Sequence, residues 1–149
     1  MLNPLVEALP EVYQPIYGHP EFSANASRGC VDRLAEVLKL HDALARAFGR
    51  PLRVLDLGCA QGFFSLQLAE RGAHVLGIDF LPENIALCQA LAAEHPALAV
   101  RFEHDRIEAV VARLSPGEFD LVLGLSVFHH LAHAQGGAVV VGYLERIAE

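Results

Sequence analysis

A chain of 149 residues with 53% hydrophobic content and a mean hydropathy of +0.33 has material for the core of one domain. Its formal net charge of −7, from 18 acidic against 11 basic side chains, includes no basic run and argues against nucleic acid as a partner. Cys30, Cys59 and Cys88 lack CxxC spacing and sit in apolar surroundings, which fits reduced thiols in a cytoplasmic protein and not a disulfide framework.

The amino terminus, MLNPLVEALPEVY, carries acids and prolines in place of a secretion signal, and no apolar stretch in the chain is long enough to span a membrane. Next comes YQPIYGHPEF (13 to 22), aromatic and too rich in proline for a helix, a segment suited to closing over a site. Arg28 to Phe48 then reads as a helix with Val31, Leu34, Ala35, Leu38, Ala45 and Phe48 near one stripe, ended by Gly49 and Pro51. Residues 1–50 thus form a helical and lid-like segment ahead of a domain over 51–149.

Within that domain strands and helices alternate. Strands are expected at RVLDL (53 to 57), HVLGID (74 to 79), AVRFEH (99 to 104) and FDLVLGL (119 to 125), with helices at 63 to 71, 82 to 94 and 107 to 114 between them. Parallel neighbours need crossover connections, so this order predicts an α/β, Rossmann-like, doubly wound and mostly parallel sheet. A helix near 137 to 149 closes the chain where another crossover strand would be expected, so the sheet reads as truncated after its fourth strand. An apolar fourth strand left as an edge predicts a homodimer, through that strand or a swapped terminal helix.

The chemistry gathers at VLDLGCAQGFF (54 to 64). Ligands of open parallel sheets bind at the carboxyl ends of the strands, where Gly58 and Gly62 let the backbone pass close and the following helix start offers N–H groups. Asp79 stands twenty-one positions after Gly58, the interval at which a second strand offers a carboxylate to ribose hydroxyls; capping the turn at Asn84 is the competing reading. A dinucleotide fingerprint needs a third glycine where Phe63 stands, and Asp56 would repel a pyrophosphate, which weakens an NAD-dependent oxidoreductase. An acid ending the first strand suits an ammonium group instead.

VLDLGCAQG (54 to 62), VLGIDF (75 to 80) and FDLVLGLSVFHHL (119 to 131) come in an order and spacing that resemble the class I S-adenosylmethionine-dependent methyltransferases, with Ala60 where the family most often has glycine. The resemblance implies a cytoplasmic methyltransferase with the class I fold, using S-adenosylmethionine and releasing S-adenosylhomocysteine. It puts Gly58, Cys59 and Gly62 behind the methionine and ribose, Asp79 on the ribose, and Phe80 against adenine. Arg106 and Ile107 match the adenine-edge position, Gly124 and Leu125 lie beside the methionine, and Asp56 serves the amino group.

YQPIYGHPEF, RGCVDRL (28 to 34), GRPLRVLDLGCAQGFFSL (49 to 66), RIE (106 to 108) and GLSVFHH (124 to 130) are further similar to the methyltransferase domains of bifunctional kinase and methyltransferase proteins that terminate bacterial O-antigen chains. That likeness implies a phosphate or hydroxyl on the terminal sugar of a surface polysaccharide, the lipopolysaccharide O-antigen, as acceptor. A phosphate oxygen is already anionic, so in-line transfer needs alignment and no strong base. Tyr13, Gln14 and Arg28 are candidates for the lid and the cofactor carboxylate. His129 and His130 are the candidate catalytic residues facing the acceptor, one of them being expected to pack structurally. HHxxH puts His129 and His133 one helical turn apart, but nothing nearby completes a metal site. A fragment that binds the cofactor without activity, or a small-molecule O-methyltransferase, are the alternatives.

Overall fold

The computed structural model describes residues 2–24, 26–27, 30–125 and 144–148. Four parallel strands, β1 (Arg53–Leu57), β2 (His74–Asp79), β3 (Val100–His104) and β4 (Leu121–Leu123), lie in the order β3-β2-β1-β4. The chain thus builds leftward from β1 through β2 to β3, then returns to add β4 on the other side, which sets the topological switch between β1 and β4. Register runs Asp56↔Gly77 and Gly77↔Phe102, with Asp56↔Leu123 on the far side.

Alternation along the strands sends side chains to two covered faces. Val54, Val75 and Leu123 pack under α3 (Val31–Phe48) and α4 (Phe63–Glu70), while Phe102 packs with Leu66 and with Ile85, Leu87 and Leu91 of α5 (Pro82–Glu94). Leu55, Leu57 and Ile78 point the other way, onto Val110 and Val111 of α6 (Ile107–Ala112). The expected α/β doubly wound sheet is therefore present, and helix α5 spans the residues anticipated for it. Two short helices precede this layer, α1 (Asn3–Glu7) and α2 (Pro20–Ser23). The second opens on a proline, which the first turn tolerates because its missing N–H would be unpaired there anyway, so the 13–22 segment is not wholly non-helical. Leu2, Leu9 and Ile16 are buried in the same cluster as Leu66 and Leu91; the amino-terminal segment contributes to this core.

Three details differ from the sequence pattern. The buried stripe of α3 runs through Val37 and His41, flanked by Leu34, Leu38, Leu44 and Ala45, while Val31 and Phe48 are exposed. A histidine in the stripe disguised its direction. Helix α3 starts after Cys30, whose left-handed backbone (φ 66) breaks the chain there, and Gly49 ends it by donating its N–H to Ala45 O. Strand β4 is shorter than the expected 119 to 125, and just before its start Asp120 is engaged sideways: its carboxylate receives the Arg53 N–H and both the Arg50 and Arg53 guanidiniums. Residues 144–148 are helical, and the rest of the expected terminal helix lies outside the described residues.

Candidate functional site

At the carboxyl ends of β1 and β2 the glycine turn, the loop after β2 and the amino-terminal segment meet. Gly58 (φ 73), Ala60 (φ 50) and Gly62 (φ 79) are all left-handed, so the turn reverses tightly between β1 and α4. The side-chain space at Gly62 is taken by the protein itself: a Cβ there would stand 2.9 Å from Cys88 Sγ and 3.0 Å from Phe102 Cζ. Gly77 makes room for the same ring, with Phe102 at 2.7 Å from a hypothetical Cβ and Ser65 Oγ at 3.0 Å.

The turn spends its N–H groups internally. Cys59 N donates to Ile78 O (2.8 Å), Gly62 N to Cys59 O (2.8 Å), and Ala60 N to Asp79 Oδ2 (2.9 Å). Phe63 N, at the start of α4, donates to Gln14 Oε1 (3.1 Å). Two of the donors expected at this helix start, Gly62 N and Phe63 N, are thus used up, which makes a poorer phosphate cradle. That is a third reason, beyond Phe63 and Asp56 themselves, against a pyrophosphate ligand.

Asp56 is buried, on the α4 face of β1, and receives the Ser65 hydroxyl at 2.7 Å. Burial pushes its carboxyl up to about 6; the Ser65 bond opposes this and the Asp79 charge adds to it. Asp79 receives Leu81 N (2.9 Å) and Asn84 Nδ2 (3.2 Å) on Oδ1, besides Ala60 N on Oδ2. Both readings of Asp79 are compatible with this geometry: it shapes the turn at Asn84, and Oδ2 keeps acceptor capacity for a hydroxyl. Phe80, directly after it, is 72% exposed at the mouth of the site. His104 Nε2 lies 2.8 Å from Phe80 O, and Asp105 N donates to Asp79 O (3.0 Å), tying the end of β3 to the same loop.

The structure brings Tyr13, Gln14, Asp56, Gly58, Cys59, Gly62, Asp79 and Phe80 to this end of the sheet. Arg106 caps α6 from an exposed position, Ile107 is half-buried against the α6 cluster, and Gly124 and Leu125 follow β4 at the same end. Cys59 is buried, and burial together with the neighbouring Cys88 raises its thiol well above the ordinary range, so it is a neutral thiol here. Arg28, His129 and His130, like His133, lie outside the described residues. Sequence reasoning missed Gln61 and Ser65, and gave Asn84 only as the turn that Asp79 caps. The signal for Gln61 and Ser65 was available: each is a lone polar residue inside an apolar run, GCAQGFFSL, and each is at most 2% exposed.

Residues 54–143 match the Methyltransferase domain family. The chain belongs to that family. Over 148 residues this methyltransferase domain is 56% identical to the O-antigen chain terminator bifunctional methyltransferase/kinase WbdD of Escherichia coli, covering 99% of this chain and 21% of that protein. It is 42% identical over 82 residues to a ubiquinone biosynthesis O-methyltransferase of Cereibacter sphaeroides, covering 54% of this chain and 32% of the relative. A crystal structure of WbdD superposes with a TM-score of 0.98 over 99% of this chain and 34% of that one, and a crystal structure of monomeric WbdD with 0.97. The methyltransferase domain described here therefore spans about a fifth of the length of the curated relatives that match it end to end. Among the described residues no helix is long and apolar enough to cross a membrane.

Proposed function

We propose that this methyltransferase domain binds S-adenosylmethionine at the carboxyl ends of β1 and β2 and transfers its methyl group to a phosphate or hydroxyl on the terminal sugar of a bacterial surface polysaccharide. The observation that carries the cofactor half is Asp56: a buried carboxylate whose partner is a neutral hydroxyl fits an ammonium group and disfavours a phosphate. S-adenosylmethionine supplies a sulfonium-bound methyl for in-line displacement. In this reading Asp56 holds the amino end, with Gly58, Cys59 and Gly62 behind the methionine and ribose. Asp79 takes a ribose hydroxyl, and Phe80 offers its exposed face to adenine. Arg106 and Ile107 line the adenine edge, Gly124 and Leu125 the methionine, and Tyr13, Gln14 and Arg28 the cofactor carboxylate, so that residues 1–50 wall the site built by 51–149.

The acceptor half follows the similarity to WbdD, whose name states O-antigen chain termination. His129 and His130 are proposed to face that acceptor. An anionic oxygen needs orientation and cations more than a base. We place the domain in the cytoplasm, where O-antigen precursors and the cofactor would meet it, and propose pairing of two copies through β4, tested by its mass in solution: a stable monomer overturns the pairing.

The cofactor test is calorimetric titration with S-adenosylhomocysteine, with NAD as control, on the wild type and on Phe80→Ala. Phe80 is exposed, so its truncation leaves the fold intact. Micromolar binding, about −8 kcal/mol, weakened roughly fivefold by loss of stacking, is the expected result; tighter binding of NAD would overturn it. Methyl transfer to phosphorylated against unphosphorylated oligosaccharides then decides the acceptor.

A further inference from the structure

Around the glycine turn, one buried side chain touches three different parts of the molecule. Gln61 is 2% exposed. Its Oε1 accepts from the backbone N–H groups of Tyr13 (3.0 Å) and Gln14 (2.9 Å), forty-eight and forty-seven positions away, and its Nε2 donates to Asn84 Oδ1 at 2.6 Å. Asn84 in turn donates through Nδ2 to Asp79 Oδ1, and Asp79 Oδ2 receives the N–H of Ala60, the residue before Gln61. The hydrogen bonds thus run from the amino-terminal segment through Gln61, Asn84 and Asp79 back to the turn. Gln14 adds a return bond, its Oε1 receiving Phe63 N at 3.1 Å.

The direction of this relay is fixed by its ends. The backbone N–H groups of Tyr13 and Gln14 can only donate, so the carbonyl oxygen of Gln61 faces them and its NH2 faces Asn84. A carboxylate at Asp79 can only accept, so the Asn84 NH2 faces Asp79 and its oxygen faces Gln61. Turning either amide over would set two acceptors against each other in a buried place.

We propose that Gln61 is a positioning residue that couples docking of the amino-terminal segment at Tyr13 and Gln14 to the orientation of Asp79, so that closing the segment and recognising the nucleoside are one event. The nucleoside half rests on the reading of Asp79 given above. Gln61 itself touches no substrate; it acts through the backbone of residues 13 and 14 and through Asn84. By reciprocity, a ligand seated on Asp79 must steady the segment by the factor with which the segment steadies the ligand.

The test uses two readouts on the full chain: hydrogen exchange at the Tyr13 and Gln14 amides, with and without S-adenosylhomocysteine, and the affinity for that ligand by calorimetry. Gln61→Met keeps the volume and removes both polar ends. Gln61→Glu keeps an acceptor for the segment but loses the donor to Asn84. Without ligand, the methionine variant should speed exchange at both amides about tenfold and the glutamate variant should restore slow exchange. Both variants should lower ligand affinity about tenfold and abolish the slowing of exchange that the ligand produces in the wild type. A general loosening of the fold would move both readouts together in both variants, and that result overturns the proposal. So does unchanged exchange in Gln61→Met, or restored affinity in Gln61→Glu. Absence of ligand binding by folded wild-type protein would overturn the cofactor reading and the coupling with it, while exchange in the ligand-free variants still decides whether Gln61 holds the amino-terminal segment. If Gln61→Met does not fold, Asn84→Ala, which leaves the acceptor of Gln61 in place, carries the same split: slow exchange at the segment with lost affinity supports the relay, and unchanged affinity overturns it.

Discussion

The two ends of one parallel sheet treat a carboxylate in opposite ways. At the amino ends of the strands, Asp120 receives Arg50 through Nη1 (2.7 Å) and Nη2 (2.8 Å), Arg53 through Nη2 (2.9 Å), and the Arg53 N–H (2.8 Å). The Arg50 guanidinium first, then that of Arg53, holds its carboxyl far below the usual range. At the carboxyl ends, Asp56 and Asp79 are served by a hydroxyl, backbone N–H groups and an amide. A carboxylate matched by its own cations is a staple between β1 and β4. One dressed, among the described residues, in neutral donors still has charge to offer a ligand.

The largest effect that sharpens this contrast comes from glycines at the two ends. Gly62 and Gly49 are both left-handed, but a Cβ at Gly49 meets nothing within 4 Å, whereas one at Gly62 strikes Cys88 and Phe102. Gly62→Ala should cost about 3 kcal/mol or more from strain and overpacking together, against about 1 kcal/mol for Gly49→Ala from strain alone. Urea unfolding midpoints compare them. Equal losses would mean that the ring of Phe102 moves freely aside, and that the carboxyl end is no more tightly specified than the amino end.

The acids supply the next contrast, and its sign follows from their titration. The Asp56 carboxyl titrates higher in the folded chain, about 6, than its ordinary 3.8. The stability it contributes is therefore complete below that ordinary value and is lost as pH rises through about 6. At pH 7 the ionised buried form costs roughly 3 kcal/mol, so Asp56→Asn, which can still accept from Ser65, should stabilise the ligand-free protein by roughly 1 to 3 kcal/mol and flatten that pH dependence. Asp120 is shifted the other way, so its contribution is present at neutral pH and fades only as pH falls below the ordinary carboxylate range. Asp120→Asn should destabilise by about 1 kcal/mol, modest because both guanidiniums stand half in water. Affinity for S-adenosylhomocysteine should fall in Asp56→Asn and hold in Asp120→Asn. In the wild type it should tighten as pH rises through about 6, as Asp56 ionises to meet an ammonium group. Thermal melts and calorimetry between pH 5 and 8 read both; a stabilised Asp56→Asn that still binds normally would sever the acid from the ligand.

One pH effect of the same sign lies elsewhere and is separable. His19 bridges Glu94 (2.7 Å) and Glu21 (2.9 Å), and these bonds raise its titration, Glu94 most, against an opposing effect of burial. Tyr17 lies edge-on to the His95 ring beside it. What the His19 bridge contributes is present below the ordinary histidine value and is lost as pH rises through the raised one, so it survives in Asp56→Asn and identifies itself there.

The strands and helices of the sheet were legible because short apolar runs alternate with longer helical stretches between turn signals: β1 and β2 were bounded residue for residue from RVLDL and HVLGID. The amino-terminal fifty residues were read less well. Their structure depends on partners that sequence distance hides, such as Ile16 beside Leu66 or the Tyr13 N–H on Gln61, and a buried His41 interrupts the apolar stripe that would have set the rotation of α3. The acids at the site were visible because position alone marks them; the amides that orient them were not, since a glutamine inside a glycine turn has no characteristic spacing to its partners. Gly62 shows a further confusion. A glycine required by a neighbouring ring and one required by a ligand look the same in a sequence.

Ala60 gives the smallest of these effects and a clean one. It holds a left-handed backbone (φ 50) with a side chain attached, which costs an L-residue about 1 kcal/mol. The strain persists because its N–H is fixed on Asp79 and its carbonyl receives Cys88 Sγ at 3.3 Å. Glycine would relieve the strain but enlarge the freedom of the unfolded chain, an opposing term of about 0.4 to 1 kcal/mol. The net change in stability for Ala60→Gly should therefore lie within about 0.5 kcal/mol of zero. Ligand affinity should change little as well if the bonds from Ala60 N to Asp79 and from Gln61 to the amino-terminal segment, not the methyl group, hold the turn. A variant that keeps its melting temperature yet binds S-adenosylhomocysteine several-fold more weakly would show that the side chain of Ala60 stiffens the turn for its ligand. The carboxyl end would then be using backbone strain, as well as unpaired charge, to keep its site in shape.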